Sequence, residues 1–155
     1  MIRDCKLESH KSAFCHVVIH EDGVNLVSYE TSVCQVCIDR EKNIGYVQCS
    51  GNYSMSTIKH IAWFTSEFCG RNMYQDIRVL LVEAQKHNAF VHNDKLRDDL
   101  IVAVRVPMGE HEIERCKKKI EWYYENGKRF NGYSKQPNYD FNMYGYRRMN
   151  PIILP

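Results

Sequence analysis

The residues most able to do chemistry in this chain are its seven cysteines and seven histidines. Cys34-Gln35-Val36-Cys37 is a C-x-x-C. Zinc uses such pairs because two neighbouring thiolates can both stand about 2.3 Å from a tetrahedral ion. The sequence holds no second C-x-x-C, so the remaining ligands must come from elsewhere. If residues 31–50 form a hairpin with its loop centred near Glu41–Lys42, Cys34 stands opposite Cys49. Directly opposed side chains lie about 4.5–5.5 Å apart at Cβ. Cys37 then faces Tyr46 on the other side of the sheet, unless a bulge turns it. His60, on a following helix, is the fourth candidate. The expected metal set is therefore Cys34, Cys37, Cys49 and His60, holding a structural zinc. A competing set is Cys5, His10, Cys15, His16 and His20, in which His16 and His20 point to one face of a strand and Cys15 to the other. Against both stands the reading of each cysteine as a small core residue. Cys116, in a helical apolar line, and Cys69, at a helix end, are expected to be structural.

Other chemistry is sparse. No phosphate-binding glycine loop, H-E-x-x-H or G-x-S-x-G occurs in the sequence, and these are the common local signatures of nucleotide, metalloprotease and serine hydrolase sites. The chain is expected not to be an enzyme, with a cysteine-dependent enzyme as the subordinate alternative. Basic and aromatic residues concentrate in Lys117-Lys118-Lys119, Lys128-Arg129-Phe130 and Tyr144-Gly145-Tyr146-Arg147-Arg148. The lysine run shares its helix with Glu110, Glu112, Glu114 and Glu121, the pattern of a salt-bridged exposed face. In the tail, Tyr139, Phe141, Tyr144, Tyr146, Arg147 and Arg148 are the expected partner contacts, because tyrosine and arginine make binding hot spots. They also suit phosphates and bases.

These residues need a scaffold. Apolar residues make up 44% of the 155 and charged residues 26%, with a net charge of +2, as in an ordinary soluble domain. Neither a strongly basic nucleic-acid glove nor an acidic DNA mimic fits that balance. No apolar run approaches the roughly 20 residues that span a bilayer. Met1–Cys5 lacks the apolar core of a signal peptide, so no membrane association and a cytoplasmic location are expected. There a disulfide framework is disfavoured.

The pattern predicts strands over Phe14–His20, Val24–Glu30, Thr31–Asp39 and Ile44–Ser50, with a turn at Glu21-Asp22-Gly23. A helix capped by Ser54 or Ser56 runs to Cys69-Gly70, its apolar face formed by Ile58, Ile61, Ala62, Thr65 and Phe68. A second helix covers Tyr74–His87. A strand over Leu100–Val106 stops at Pro107, and a long helix spans Gly109–Asn126. The fold class is α+β, a small antiparallel sheet of N-terminal hairpins with two to three helices. Residues 1–127 form one domain. Residues 128–155 form an irregular aromatic tail, packed on the domain or used for binding.

One stretch resembles a pattern of small phage-encoded proteins. Leu26-Val27-Ser28-Tyr29-Glu30-Thr31-Ser32-Val33, then Tyr53-Ser54-Met55-Ser56-Thr57-Ile58-Lys59-His60-Ile61, is similar to S-Y-x-T-x-V, a variable hairpin, and Y-S-x-[ST]-T-x-[KR]-H-I. About 40 residues carry the likeness. It implies a small β unit followed by a helix and a mobile-element origin, and the host cell cytoplasm as the place of action. Cys34, Cys37, Cys49 and the long C-terminal extension depart from that pattern. Small phage proteins with added modules are often inhibitors of host defence. A cysteine-rich one is similar in kind to zinc-containing anti-CRISPR proteins. The resemblance thus implies a phage-type inhibitor whose partner is a host defence protein, such as a CRISPR effector nuclease. It would act by occluding a protein surface or nucleic-acid loading. The alternative is a small nucleic-acid-binding accessory protein of phage replication or regulation.

Overall fold

A computed structural model describes residues 3–29, 31–49, 54–86 and 104–130. Six strands form one antiparallel sheet in sequence order: β1 (Arg3–Cys5), β2 (Cys15–His20), β3 (Gly23–Ser28), β4 (Thr31–Asp39), β5 (Ile44–Cys49) and β6 (Val104–Pro107). The helices are α1 (Met55–Cys69) and α2 (Tyr74–Lys86), between β5 and β6, and α3 (Glu110–Asn126), after β6. The α+β expectation holds. β1 is an addition: three residues among polar neighbours carry no alternation to read. It adds an edge strand with Cys5 opposite Val17.

Turn chemistry sets the sheet. Gly23 opens β3 where any Cβ would stand 1.8 Å from the Val36 carbonyl oxygen, so only glycine fits this close approach of β3 to β4. The β4–β5 register pairs Cys34 with Cys49 and Cys37 with Tyr46, as the loop position predicts. A bulge between Leu26 and Val27 shifts the β3–β4 register, which then continues through Val27 with Ser32 and Ser28 with Thr31 up to the Tyr29 corner.

Both sheet faces are closed to solvent, in different ways. One face carries Cys15, Val17, Val24, Leu26, Val36 and Val47 and packs on the helices through Ile61, Phe64, Phe68, Met73, Ile77 and Tyr123. The other face presents His16, His20, Asn25, Gln35 and Gln48, all at most 3% exposed.

The helix boundaries follow local signals. The Ser54 side chain caps α1 by accepting the Thr57 N–H, and Gly70, at φ 87, closes it in the left-handed conformation that glycine adopts without penalty. The α1 stripe differs from the expected one. Phe64 and His60 are buried with Thr57, Ile61 and Phe68, while Ile58 and Ala62 are only half-buried. Hydroxyl and imidazole groups that find partners inside shift the buried face by part of a turn relative to the apolar residues alone. α3 buries Ile113, Cys116, Ile120 and Tyr123, the line that the spacing predicts. Residues 87 and 100–103, at the ends of two expected elements, lie outside the described residues.

Candidate functional site

The end of β3 and the start of α1 meet in space. Ser28, the last residue of β3, turns its Oγ to Thr57 Oγ1 at 3.0 Å and to His60 Nδ1 at 2.8 Å. Ser54 extends the chain by donating its hydroxyl to Thr57 Oγ1 at 3.3 Å. The S-Y phrase and the S-x-S-T-x-K-H phrase are thus one hydrogen-bonded joint between a hairpin corner and a helix start. Ser28 is 2% exposed and His60 4%. Burial, and then the neighbouring Lys59, lower the His60 pKa, so the imidazole is neutral at pH 7. A serine beside a neutral imidazole is the arrangement of a nucleophile and its base. Here, however, the serine oxygen is closed off and also engaged by Thr57. The joint positions; it does not present Ser28 Oγ to a substrate.

What it positions is Tyr29. This residue stands at φ 57, a left-handed backbone that bulky side chains rarely adopt and that a structure must hold in place. Its N–H donates to the Phe14 carbonyl at 2.7 Å. Its ring lies 5.8 Å from Phe14 on one side and 5.8 Å from His60 on the other. The row continues from His60 to Trp63 at 5.5 Å, and from Trp63 to His10, which stacks on it at 4.1 Å. Phe14 is 59% exposed and Tyr29 45%. Lys59 Nζ stands 6.0 Å over the Trp63 ring. Met55, one helical turn before Lys59, is the most exposed large apolar residue among the described residues, at 79%. The result is an aromatic ridge contributed by the β1–β2 connection, the β3–β4 corner and α1.

The expected zinc set does not come together as one site. Cys34 and Cys49 face each other across the ladder beneath the helices. Cys37 belongs to the opposite face with Tyr46, and His60 is held by Ser28. In a regular ladder, residues three apart point to opposite sides, and β4 has no bulge between Cys34 and Cys37. The competing set is also divided. Cys5 and Cys15 are core, His16 and His20 line the second face, and His10 stacks on Trp63. Among the described residues no group of three or more histidine, cysteine or acidic side chains is arranged to hold a metal ion. All seven cysteines are buried free thiols. Burial pushes Cys15 up to about 11 and Cys69 up to about 12, and raises Cys34 and Cys116 well above the ordinary value.

Tyr139, Phe141, Tyr144, Tyr146, Arg147 and Arg148 lie outside the described residues. The ridge of Phe14, Tyr29 and Trp63 escapes sequence reading because its members come from three separated segments. In the sequence Tyr29 is one tyrosine among ten.

Residues 4–79 match the model of a family of unknown function, DUF8033. That span contains both halves of the joint and the whole ridge, and it stops before β6 and α3. No curated protein and no solved structure matches the chain. No helix among the described residues is long and apolar enough to cross a membrane.

Proposed function

We propose that the protein works by binding a partner protein through the aromatic ridge, with Tyr29 as anchor. The observation that carries this is an exposed tyrosine held in a left-handed backbone from beneath by the buried Ser28–Thr57–His60 joint. Large aromatic rings fixed in advance bind with little further loss of conformational freedom, and such residues dominate interface energetics. The resemblance to phage-encoded proteins supplies the partner class, a host defence protein, with a CRISPR effector nuclease as the case to test first. Inhibition would follow from occupying a surface or blocking nucleic-acid loading. The near-neutral charge argues against imitation of DNA.

The test is a DNA-cleavage assay with a purified single-effector CRISPR nuclease, run with wild-type protein, Tyr29→Ala and Phe14→Ala. The wild type should inhibit at near-stoichiometric concentration and co-elute with the effector. Tyr29→Ala should weaken binding at least about 30-fold, the scale of a hot spot worth 2 kcal/mol or more, while its melting temperature stays near wild type. No inhibition and no complex would remove this partner. Salt-sensitive binding to DNA or RNA without protein would assign the ridge to nucleic acid instead.

A further inference from the structure

Each hydroxyl of the Ser28–Thr57–His60 joint has one hydrogen to give, and this fixes the direction of its bonds. The Thr57 N–H donates to Ser54 Oγ at 3.4 Å, and the Ser54 hydroxyl donates to Thr57 Oγ1 at 3.3 Å. Thr57 then passes its own hydrogen to Ser28 Oγ, 3.0 Å away. Ser28 in turn donates to His60 Nδ1 at 2.8 Å. In the reverse order both serines would donate to Thr57 Oγ1, and the Thr57 hydrogen would have no acceptor among the described residues. Thr57 is buried, so an unused hydrogen there is costly. The forward order uses every hydroxyl hydrogen of the three residues. It makes Nδ1 the acceptor of the His60 ring and puts the proton of the neutral imidazole on Nε2.

Nε2 lies on the edge of the ring away from Nδ1. It has no hydrogen-bond partner among the described residues and is not sealed from solvent. The imidazole itself is held almost wholly inside, at 4% exposure, with the rings of Tyr29 and Trp63 at 5.8 Å and 5.5 Å. A single fixed donor is thus set among aromatic rings. Lys59 adds positive potential there: its Nζ stands 6.0 Å over the Trp63 ring, and its charge is felt by the imidazole. A fixed N–H with a cation beside it favours an anionic acceptor over a neutral one, because charge-assisted hydrogen bonds are the stronger. The surrounding rings lower the local dielectric and strengthen that preference once water is excluded. The ridge of His10, Phe14, Tyr29, Met55, Lys59 and Trp63 brings one lysine and no arginine. Phosphate recognition favours arginine forks, so a carboxylate fits this site better than a phosphate.

We infer that His60 Nε2–H is the polar anchor of the ridge and receives a carboxylate, an aspartate or glutamate side chain of the partner protein, with Lys59 beside it. This rests on the reading of the ridge as the partner surface and deepens it. Tyr29 supplies contact area, and His60 specifies what must lie next to it. A partner with an apolar side chain at this point would leave the donor unpaired as water is excluded, which selects against it.

Nitrogen-15 imidazole spectra of the full chain test this without a partner protein. At pH 7.5 the His60 ring should carry its proton on Nε2 and leave Nδ1 bare. A ring protonated on Nδ1 would overturn the inference. The same signals are then followed during titration with phenylacetate, phenylacetamide and phenyl phosphate at constant ionic strength. Phenylacetate should shift His60 Nε2 saturably, and the neutral amide should bind at least about tenfold more weakly. Lys59→Gln, a change on the exposed side of α1, should weaken phenylacetate binding about threefold or more while the rest of the spectrum stays in place. An Nε2 signal that phenylacetate leaves unmoved would overturn the inference, as would equal binding of acid and amide. Tighter binding of phenyl phosphate than of phenylacetate would also overturn it, and assign the donor to a nucleic-acid phosphate. The nuclease assay fails independently of these titrations. Protein that binds phenylacetate as expected but does not inhibit the nuclease supports the site and loses only that partner. Protein that inhibits while Nε2 stays unmoved keeps the partner and loses the site.

Discussion

His16 lies under the Phe130 ring with no solvent exposure, and burial lowers its pKa from 6.5 to about 4. In the unfolded chain the same imidazole takes a proton near pH 6.5. Between those values the unfolded state binds the extra proton, so stability falls as pH drops from about 6.5 to about 4 and is intact above. One pKa unit corresponds to about 1.4 kcal/mol, so the loss attributable to His16 is roughly 3 kcal/mol. His60, also lowered by burial, adds in the same direction. Denaturant midpoints at pH 7 and pH 4.5 should therefore differ less in His16→Gln than in the wild type. Parallel pH profiles for the two proteins would show that His16 is accessible to protons in the fold. The cysteines are a case where sequence type and structural role separate. C-x-x-C is a legible pattern, but its meaning depends on a knuckle that breaks strand alternation. β4 runs regularly through Cys34 and Cys37, so the two thiols stand on opposite faces of the sheet.

Elements with local causes are the legible ones. The β4–β5 register follows from loop position, α1 starts at the serine and ends at the glycine named by their chemistry, and the α3 apolar line is the buried one. β1 escapes because a three-residue edge strand is defined by its neighbour. The buried α1 face is offset because Thr57 and His60, polar by type, are satisfied by Ser28. Gly23 offers an element-level test of what holds the central hairpins together. The Ile38 N–H donates to the Asp22 carbonyl at 2.9 Å just beside it, so the β2–β3 turn and β4 are locked at this point. Gly23→Ala must push the Val36 carbonyl away and should cost about 3 kcal/mol or more, at the high end for overpacking. Thermal unfolding with the partner-free protein measures it. A melting temperature within 2 °C of wild type would mean that the hairpin corner yields without loss.

At the scale of the molecule, the β hairpins and α1 are completed by parts that follow them. The span matched by the family model ends at residue 79, yet Ile113, Cys116, Ile120 and Tyr123 of α3 belong to the same core. The N-terminal segment is tied to that helix. Arg3 donates through Nη1 to the Tyr124 carbonyl and through Nη2 to the Gly127 carbonyl at 2.9 Å, a cation on the negative end of the helix dipole. Deeper in, Tyr123 donates its hydroxyl to Glu67 of α1 and accepts the Glu8 N–H at 2.8 Å, while Glu67 also accepts the Ser9 N–H at 2.6 Å. Burial and the facing carboxylate hold the Tyr123 hydroxyl protonated far above the ordinary tyrosine range. One phenol thus joins the connection after β1, α1 and α3, and its neighbour Glu67 is only 7% exposed. Tyr123→Phe keeps the ring packed on Phe68 at 5.1 Å but takes a donor from a buried carboxylate and an acceptor from a backbone amide. Losses of that kind cost about 3 kcal/mol together, or about 10 °C in Tm for a domain of this size. Pairing the change with Glu67→Gln separates the causes. If charge desolvation dominates, the double variant recovers much of the loss, because no unsupported carboxylate remains. If the amide and phenol bonds dominate, the double variant stays as unstable as Tyr123→Phe. A Tyr123→Phe protein that melts within 2 °C of wild type would place the tie between the N-terminal segment and α3 in the Arg3 contacts alone.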